Sequence, residues 1–333
     1  MIESDQPLRI FVIGLSDYLA RRAFPGLERA AGCELVGVAV RDVERAREKL
    51  RGASAGELIQ PYDAVFDRSD VDAVYITLPN ALHIEWTLRA IEAGKHVLCE
   101  KPMALRAEDV DRIDRAARAR RVTVQEGYMY RFHPQWTRVT EILGGGLIGD
   151  VCAVISNYAY LDANYAGPRF QPELGGGVMR MVGCYPMSVA LLAFDVDPVA
   201  VTALARPADT TGVDGSTSAV MEFSGGHATI TATVDGYDNQ YVRIVGTTGV
   251  IEVAMPFNPA ADASTVTVLH RDEGVERIEI EPADQFQLQF EHFARVARGV
   301  DQPIVPLAES RRCARALAAI TDSAGRGGVR IEL

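Results

Sequence analysis

Residues 95–102, KHVLCEKP, place a lysine at the carboxyl end of a short apolar strand. A helical pattern over residues 81–93 precedes this segment and ends at Gly94, and the strand covers residues 96–99. Ligands bind at the carboxyl edge of open parallel sheets, so Lys101 is expected to face a binding crevice. Pro102 restricts the backbone before it, and the bond that joins it to Lys101 can be cis. Solvated lysines are common at strand ends, so Lys101 alone does not define a site.

The chain around this segment alternates short apolar strands with amphipathic helices from residue 8 to residue 126. The predicted strands cover residues 8–13, 35–40, 73–77, 96–99 and 122–125, and the predicted helices cover residues 18–31, 43–49, 81–93 and 107–119. This alternation is typical of a doubly wound parallel sheet. We therefore predict an α/β protein whose residues 1–128 form a domain with a doubly wound parallel sheet.

The pattern changes after a helix predicted at residues 134–143, where three glycines, residues 144–146, interrupt the chain. Runs with period-two alternation follow at residues 151–160, 200–204, 218–223, 228–234, 241–245, 265–269 and 277–281, and helices at 177–194, 284–298 and 307–324. Gly225 and Gly226 predict a hairpin turn. Residues 129–333 are thus expected to form a second α/β domain with a mostly antiparallel open sheet.

The composition limits the possible partners. The 333 residues carry a formal net charge of -11 with 48% hydrophobic and 24% charged residues, typical of a globular protein with room for two domains. The negative charge argues against a nucleic-acid partner. The five cysteines are dispersed, and the longest apolar run, residues 189–194, is too short to cross a bilayer. We expect a cytoplasmic protein that binds neither membrane nor metal.

The turn after the first strand is a candidate phosphate-binding site. Gly14 fits the tight turn, while Ser16 stands where the usual fingerprint has its second glycine. Phosphates could still sit at the following helix N-terminus, beside Asp17 and Tyr18. Taken alone, this segment fits an ordinary strand-turn-helix equally well.

The residues at the end of the second predicted strand indicate whether the cofactor is NAD or NADP. A ribose 2′-hydroxyl requires an acid there, but the residue is Val40, followed by Arg41. An arginine can pair with a 2′-phosphate, so we predict NADP over NAD. The alternative is that Arg41 is a solvated residue and Asp42 the N-cap of the next helix.

Four motifs in this order give the chain its resemblance to a known family. They are residues 72–80 (DAVYITLPN) with His83, residues 93–102 (AGKHVLCEKP), residues 127–134 (GYMYRFHP), and residues 172–177 (PELGGG) leading to residues 183–186 (GCYP). The chain resembles the glucose-fructose oxidoreductase, inositol dehydrogenase and rhizopine-catabolism family of NAD(P)-dependent oxidoreductases. The turn at residues 14–17, followed by Arg21 and Arg22, is similar to that of the deoxysugar ketoreductases.

The resemblance implies that residues 1–128 form a Rossmann domain that binds NADP and that residues 129–333 form the domain for substrate binding and oligomerisation. It also implies a sugar, cyclitol or related polyol or ketone substrate in a cleft between the domains. It also implies a homo-oligomer, a dimer or tetramer, built through the C-terminal sheet. Lys101 matches the lysine that contacts both nicotinamide ribose and substrate. The residues expected at the cofactor are Gly14, Ser16, Asp17, Tyr18, Arg41, Leu78, Pro79, Asn80, His83, Glu100 and Lys101; those expected at the substrate are Tyr130, Arg169, Met181 and Tyr185. Asn80 could instead cap the next helix, and Arg169 could form a surface salt bridge.

Hydride transfer to a ketone builds negative charge on oxygen, which needs a positive charge and a proton donor. Many family members carry an Asp and, four residues later, a His, where this chain has Met181 and Tyr185. A thioether exchanges no proton, so Lys101 is expected to polarise the carbonyl and Tyr185 to donate the proton. Alternatively, Tyr185 has a structural role, and its aromatic ring anchors a helix that Pro186 kinks.

The predicted activity is therefore that of an NADP-dependent oxidoreductase acting on a sugar-type hydroxyl or ketone, with a keto-sugar or sugar nucleotide favoured. Met181 leaves a second function open, because the family also contains non-enzymatic regulators. In that case the chain would bind NADP and a partner without turnover.

Overall fold

The computed structural model describes residues 6–50, 55–162, 164–209 and 211–333. Strands and helices alternate in the first part of the chain. Its strands are β1 (Leu8–Ile13), β2 (Cys33–Ala39), β3 (Glu57–Ile59), β4 (Ala73–Ile76), β5 (His96–Glu100) and β6 (Val124–Gly127). Its helices are α1 (Asp17–Arg29), α2 (Val43–Leu50), α3 (His83–Glu92) and α4 (Ala107–Arg120).

These strands form a parallel sheet, six-stranded over the described residues, in the order β3-β2-β1-β4-β5-β6. Ile13 pairs with Ile76, and Ile76 with Cys99, so the carboxyl ends of β1, β4 and β5 meet at one edge. Most of their side chains are apolar on both faces because helices cover both, and Phe11, Val74 and Val97 are completely buried. The predicted Rossmann sheet is confirmed.

The later part of the chain is rich in long strands. Its strands are β7 (Val151–Leu161), β8 (Ala200–Pro207), β9 (Asp214–Phe223), β10 (Gly226–Thr233), β11 (Asp235–Gly246), β12 (Gly249–Val253), β13 (Thr265–Arg271), β14 (Gly274–Ile280) and β15 (Ile331–Glu332). Its helices are α5 (Pro134–Gly144), α6 (Cys184–Phe194), α7 (Gln285–Ala297) and α8 (Leu307–Gly325), with a π-helix at Met179–Gly183.

Within the described residues these strands form a second, nine-stranded sheet. Its order is β14-β13-β12-β11-β7-β10-β9-β8-β15. Neighbouring strands are antiparallel except for β7 and β10, which pair in parallel. The hairpin predicted at Gly225 and Gly226 joins β9 to β10, where Phe223 pairs with Gly226. The prediction of a mostly antiparallel second sheet is confirmed.

The division of the chain differs from the predicted boundary after residue 128. Among the described residues, one compact unit comprises residues 6–50, 55–104, 108–132 and 284–310, and the other comprises residues 105–107, 133–162, 164–209, 211–283 and 311–333. Helix α7 returns to the first unit, where a Cβ on Gly26 of α1 would lie 2.8 Å from the Cβ of Phe286. The assignment of residues 284–310 to the second domain is thus corrected, because the aromatic face of α7 packs against the Rossmann unit.

One helical stretch of the described chain, Pro172–Phe194, is long and apolar enough to span a membrane. Of its apolar window, 78% is buried inside the protein. Such burial is typical of a core helix.

Candidate functional site

Gly14 forms the tight turn at the carboxyl edge of the parallel sheet. Its φ is +96°, a left-handed conformation that glycine adopts without strain. A Cβ there would lie 3.0 Å from both Leu78 Cδ2 and Thr77 Oγ1. Gly14 therefore lets the ends of β1 and β4 approach closely, and it brings the predicted residues Gly14 and Leu78 together.

Ser16 is the N-cap of α1, where its hydroxyl accepts a hydrogen bond from the Leu19 N–H at 3.2 Å. The helix N-terminus thus starts directly after the Gly14 turn, and its amides can bind an anion. Asp17 lies in the first turn, 3.6 Å from the Lys49 ammonium. Tyr18 packs its ring edge against Phe286 of α7 and is 37% exposed.

Arg41 and Asp42 follow β2 at the same edge of the sheet. The Asp42 carboxylate accepts the Arg45 N–H at 3.0 Å and so caps α2, as the alternative interpretation proposed. The exposed Arg41 side chain forms a hydrogen bond with the Tyr62 hydroxyl. Burial raises the pKa of Tyr62, and the Arg41 charge opposes this effect. Capping by Asp42 agrees with the alternative interpretation, and the pairing of Arg41 with a 2′-phosphate stays a prediction.

Lys101 directly follows β5, and its peptide bond to Pro102 is cis, one of the two possibilities that the sequence raised. Its backbone N–H donates to the Glu100 carboxylate at 3.3 Å, and the Tyr75 hydroxyl donates to the other oxygen of that carboxylate. Burial raises the pKa of Glu100, and the Lys101 charge lowers it. Glu100 therefore supports Lys101, and its contact with the cofactor stays a prediction.

His83 is buried beneath this edge, with 1% of its surface exposed. Its Nε2 lies 2.8 Å from the Leu78 carbonyl oxygen and its Nδ1 lies 2.9 Å from that of Pro102. Burial lowers the pKa of His83, which favours a neutral ring that donates to one carbonyl at a time. The ring links the ends of β4 and β5, and its predicted contact with the cofactor stays a prediction.

Asn80 begins the short helix Asn80–Leu82, for which Pro79 is the N-cap. The N-cap of α3 is Leu82, and neither cap uses a side-chain hydrogen bond. Both interpretations of Asn80, a bond to the cofactor and a cap for the following helix, therefore stay predictions.

Glu126 was missed by the sequence analysis. It lies in β6 with 2% of its surface exposed, and it accepts the Met103 N–H at 2.7 Å. Burial raises the pKa of Glu126 to about 7, and the Ser310 hydroxyl opposes this shift. A carboxylate inside a buried strand is rare, and this rarity was the sequence signal that could have identified Glu126.

We expect Glu126 to make stability fall with rising pH. Its raised folded-state pKa means that its contribution is fully present below about 4.5, near the unfolded pKa, and is lost as the pH rises through about 7. When the pH rises from 5 to 8, the unfolding free energy of Glu126→Gln should therefore increase by about 2–3 kcal/mol relative to that of wild type. Urea unfolding at both pH values measures this. The exposed Glu28→Gln controls for the lost charge, and an equal change in both variants would contradict the assignment.

In the second unit, the helix predicted over residues 177–194 is not a continuous α-helix. Met179–Gly183 forms a π-helix and α6 begins only at Cys184. Pro186 has no N–H to donate to the carbonyl of Val182, so the regular ladder of α-helical hydrogen bonds is interrupted just before Pro186. The one-turn spacing expected for Met181 and Tyr185 therefore spans a junction between two helix types.

Met181 occupies the position where many family members have an acid. It is 7% exposed, and the Tyr160 hydroxyl lies 3.8 Å from its sulfur. Burial raises the pKa of Tyr160, while Arg169, within hydrogen-bond reach, lowers it. Arg169 also lies 3.6 Å from the Asp162 carboxylate, which supports its alternative role in a surface salt bridge. Tyr160 was missed, although period two places it on the same face of β7 as buried Val154.

Tyr185 lies in a stack of aromatic rings and is 5% exposed. Its ring centroid is 5.8 Å from that of Tyr158 and 5.5 Å from that of Phe257. Such stacking fixes the ring plane, so the alternative role as an anchor also has support. Tyr130, in the first unit, is completely buried and packs edge-on against Tyr128; its predicted contact with substrate stays a prediction.

A parallel sheet in this strand order, with a glycine turn and a helix N-terminus at its carboxyl edge, defines a Rossmann dinucleotide-binding protein. The family model described as "Oxidoreductase family, NAD-binding Rossmann fold" matches residues 8–128, and the "GFO/IDH/MocA C-terminal domain" matches residues 136–252. The chain belongs to the GFO/IDH/MocA oxidoreductase family. The resemblance drawn from the sequence is thereby confirmed.

Two relatives and one solved structure are similar to this chain over most of its length. The chain is 32% identical to a dTDP-3,4-didehydro-2,6-dideoxy-alpha-D-glucose 3-reductase of Actinomadura kijaniata, over 89% of this chain and 90% of that protein. It is 33% identical to D-xylose 1-dehydrogenase (NADP(+)) 2 of Haloferax volcanii, over 95% of this chain and 97% of that protein. A 3-ketoreductase from Actinomadura kijaniata, solved with NADP and TDP-benzene, is similar with a TM-score of 0.87 and 30% identity, over 96% of this chain and 98% of that one.

Proposed function

We propose that this protein is an NADP-dependent oxidoreductase that acts on a sugar-type hydroxyl or ketone, with a keto-sugar or sugar nucleotide favoured. One observation carries the proposal: the segment that bears Lys101 lies at the same sheet edge as the Gly14 turn. The names of the relatives support the substrate class, since they include a deoxysugar 3-reductase and a xylose dehydrogenase.

The residues at this edge fit a dinucleotide. The Gly14 turn and the N-terminus of α1 would hold its phosphates, and Arg41 would pair with a 2′-phosphate. Bound nicotinamide would donate or accept the hydride. The Lys101 ammonium stabilises negative charge on the substrate oxygen, and the Tyr185 hydroxyl exchanges the proton. Solved structures of the Actinomadura ketoreductase include variants of one lysine and one tyrosine, the residue types proposed here.

A substrate screen tests this proposal. NADPH oxidation is followed at 340 nm with free keto-sugars and with dTDP-linked keto-sugars, and NADP⁺ reduction is followed with aldoses such as D-xylose. We expect turnover with at least one carbonyl or hydroxyl of this class. The absence of turnover with all of them, despite NADPH binding, would overturn the proposed enzyme.

Arg41→Ala is expected to weaken NADPH binding by about 10- to 100-fold, because a charge-assisted hydrogen bond contributes roughly 1.5–3 kcal/mol. NADH lacks the 2′-phosphate, so its affinity should stay within about twofold. Fluorescence titration with both coenzymes measures the two affinities. Arg112→Ala, which removes an exposed arginine paired with Asp109 on α4, is the control. Equal losses for NADPH and NADH would contradict the role of Arg41.

One observation favours a second function. Met181, buried beside the Tyr160 hydroxyl, presents a thioether where a proton-exchanging group is usual. A catalytically degenerate regulator would bind NADP and a partner without turnover. The substrate screen separates the two functions, because the regulator requires tight NADPH binding together with no oxidation.

We also propose that the second sheet forms the homo-oligomer interface. Ile155, Val220 and Leu204 are 46%, 43% and 64% exposed, and the strand register places them on one face of the sheet. Exposed apolar residues on one sheet face are typical of association sites. A dimer or tetramer built on this face would cover them.

A further inference from the structure

Three side chains hold the polar backbone groups around the cis bond after β5. Glu100 accepts the Lys101 N–H at 3.3 Å, His83 Nδ1 lies 2.9 Å from the Pro102 carbonyl oxygen, and Glu126 accepts the Met103 N–H at 2.7 Å. These side chains come from β5, α3 and β6, so the segment of residues 101–103 is fixed from three elements of the first unit.

The contact made by Glu126 is the shortest of the three. Its carboxyl group is buried in β6, and Cys99 of β5 pairs with it in the sheet register. Burying a carboxyl group costs free energy that an apolar side chain would avoid. Packing alone therefore does not account for Glu126, whereas an acceptor for the Met103 N–H does.

We propose that Glu126 is a positioning residue that acts through the Met103 N–H to fix the backbone from which Lys101 projects. The proposal rests on the function proposed for Lys101. Because the anchored backbone begins at the residue that carries the ammonium, loss of the anchor moves the ammonium relative to the reacting oxygen. A displacement of about 1 Å in a catalytic group can cost about 100-fold in rate.

The test compares Glu126→Met with Glu126→Gln. Methionine has a similar length but removes the acceptor, so Glu126→Met should lower kcat by about 10- to 100-fold while the Kd for NADPH stays within about threefold. Glutamine keeps an oxygen for the Met103 N–H and should return kcat to within about threefold of wild type. Wild-type kcat in Glu126→Met, or equal losses in both variants, would overturn the proposal.

A neighbouring residue supplies the matched control. Gln125 is completely buried in the same strand and faces the opposite side of the sheet, and its side-chain amide has no hydrogen-bond partner within the described residues. Gln125→Met should therefore leave kcat unchanged; an equal loss there would also overturn the proposal. If Glu126→Met does not fold, as judged by circular dichroism, Glu126→Asp tests the same contact. Its shorter side chain withdraws the oxygen from the Met103 N–H, so kcat should fall although the carboxyl group remains.

The outcomes separate this proposal from the proposed function. If Lys101 is not catalytic, Lys101→Met keeps its turnover, and the role that the proposed function gives to Lys101 fails whatever Glu126→Met does. If only the positioning role is wrong, Lys101→Met is inactive while Glu126→Met matches wild type.

Discussion

Replacing Lys101 with methionine is expected to lower kcat by about 10²- to 10³-fold, the usual cost of removing a group that stabilises charge on the reacting oxygen. Methionine keeps most of the side-chain length and loses the ammonium. NADPH should still bind within about tenfold of wild type, because the Gly14 turn, the N-terminus of α1 and Arg41 are unchanged. Steady-state kinetics with the best substrate from the screen, together with fluorescence titration of NADPH, measure both quantities.

Lys95, in the same stretch of sequence, is the matched control. Its ammonium donates to the carbonyl oxygens of Arg68 and Val71, at 2.5 and 2.9 Å, so its role is structural. Lys95→Met should reduce the unfolding free energy and leave the kcat of the folded protein within about twofold. If both lysine variants lost the same share of kcat, or if Lys101→Met kept its turnover, the catalytic assignment of Lys101 would fail.

The sequence was sufficient to predict the parallel sheet and its functional edge. Buried parallel strands contain continuous apolar runs, as at residues 10–13 of β1 and at Ala73–Ile76, and such runs are visible without long-range information. Since the carboxyl ends of such strands meet at one edge, Gly14, Leu78 and Lys101 could be expected there together. The structure places all three after β1, β4 and β5.

The features that the sequence did not predict depend on contacts between distant residues. The return of α7 depends on Phe286 packing against α1 and Phe290 packing against Tyr75, and no local pattern encodes either contact. Strands β3 and β15 were missed because they contain only three and two residues, and the five-residue β12 was missed as well. The π-helix follows from Pro186, but the sequence indicated only a kink at that position.

The residues that hold the backbone around Lys101 also could not be predicted from the sequence, because they act through contacts between distant residues. Lys101 could be found because strand ends at a sheet edge have a recognisable position. His83 and Glu126 could not be assigned as its supports, because their roles depend on which backbone groups they meet. A buried charge in a strand signals a partner, and only the three-dimensional structure identifies the partner as the Met103 N–H.

Tyr185→Phe is expected to lower kcat by about 10²-fold, the lower end of what a positioned proton donor contributes. Phenylalanine keeps the ring that stacks on Tyr158 and Phe257, so the fold and the unfolding free energy should change little. The loss then reports on the hydroxyl. The kcat of wild type and of the variant, measured across pH 6–9, and the melting temperature of each test this expectation.

Tyr158→Phe removes a hydroxyl from the neighbouring ring of the same stack and should leave kcat within about threefold. If Tyr185→Phe also stays within about threefold, Tyr185 is an anchor for the helix at Pro186, and the proton must come from another donor. The Lys101 ammonium is then the remaining acid among the residues proposed for catalysis, since the Met181 thioether carries no proton. In that case Lys101→Met would lose both the positive charge and the proton, and its kcat should fall well beyond 10³-fold.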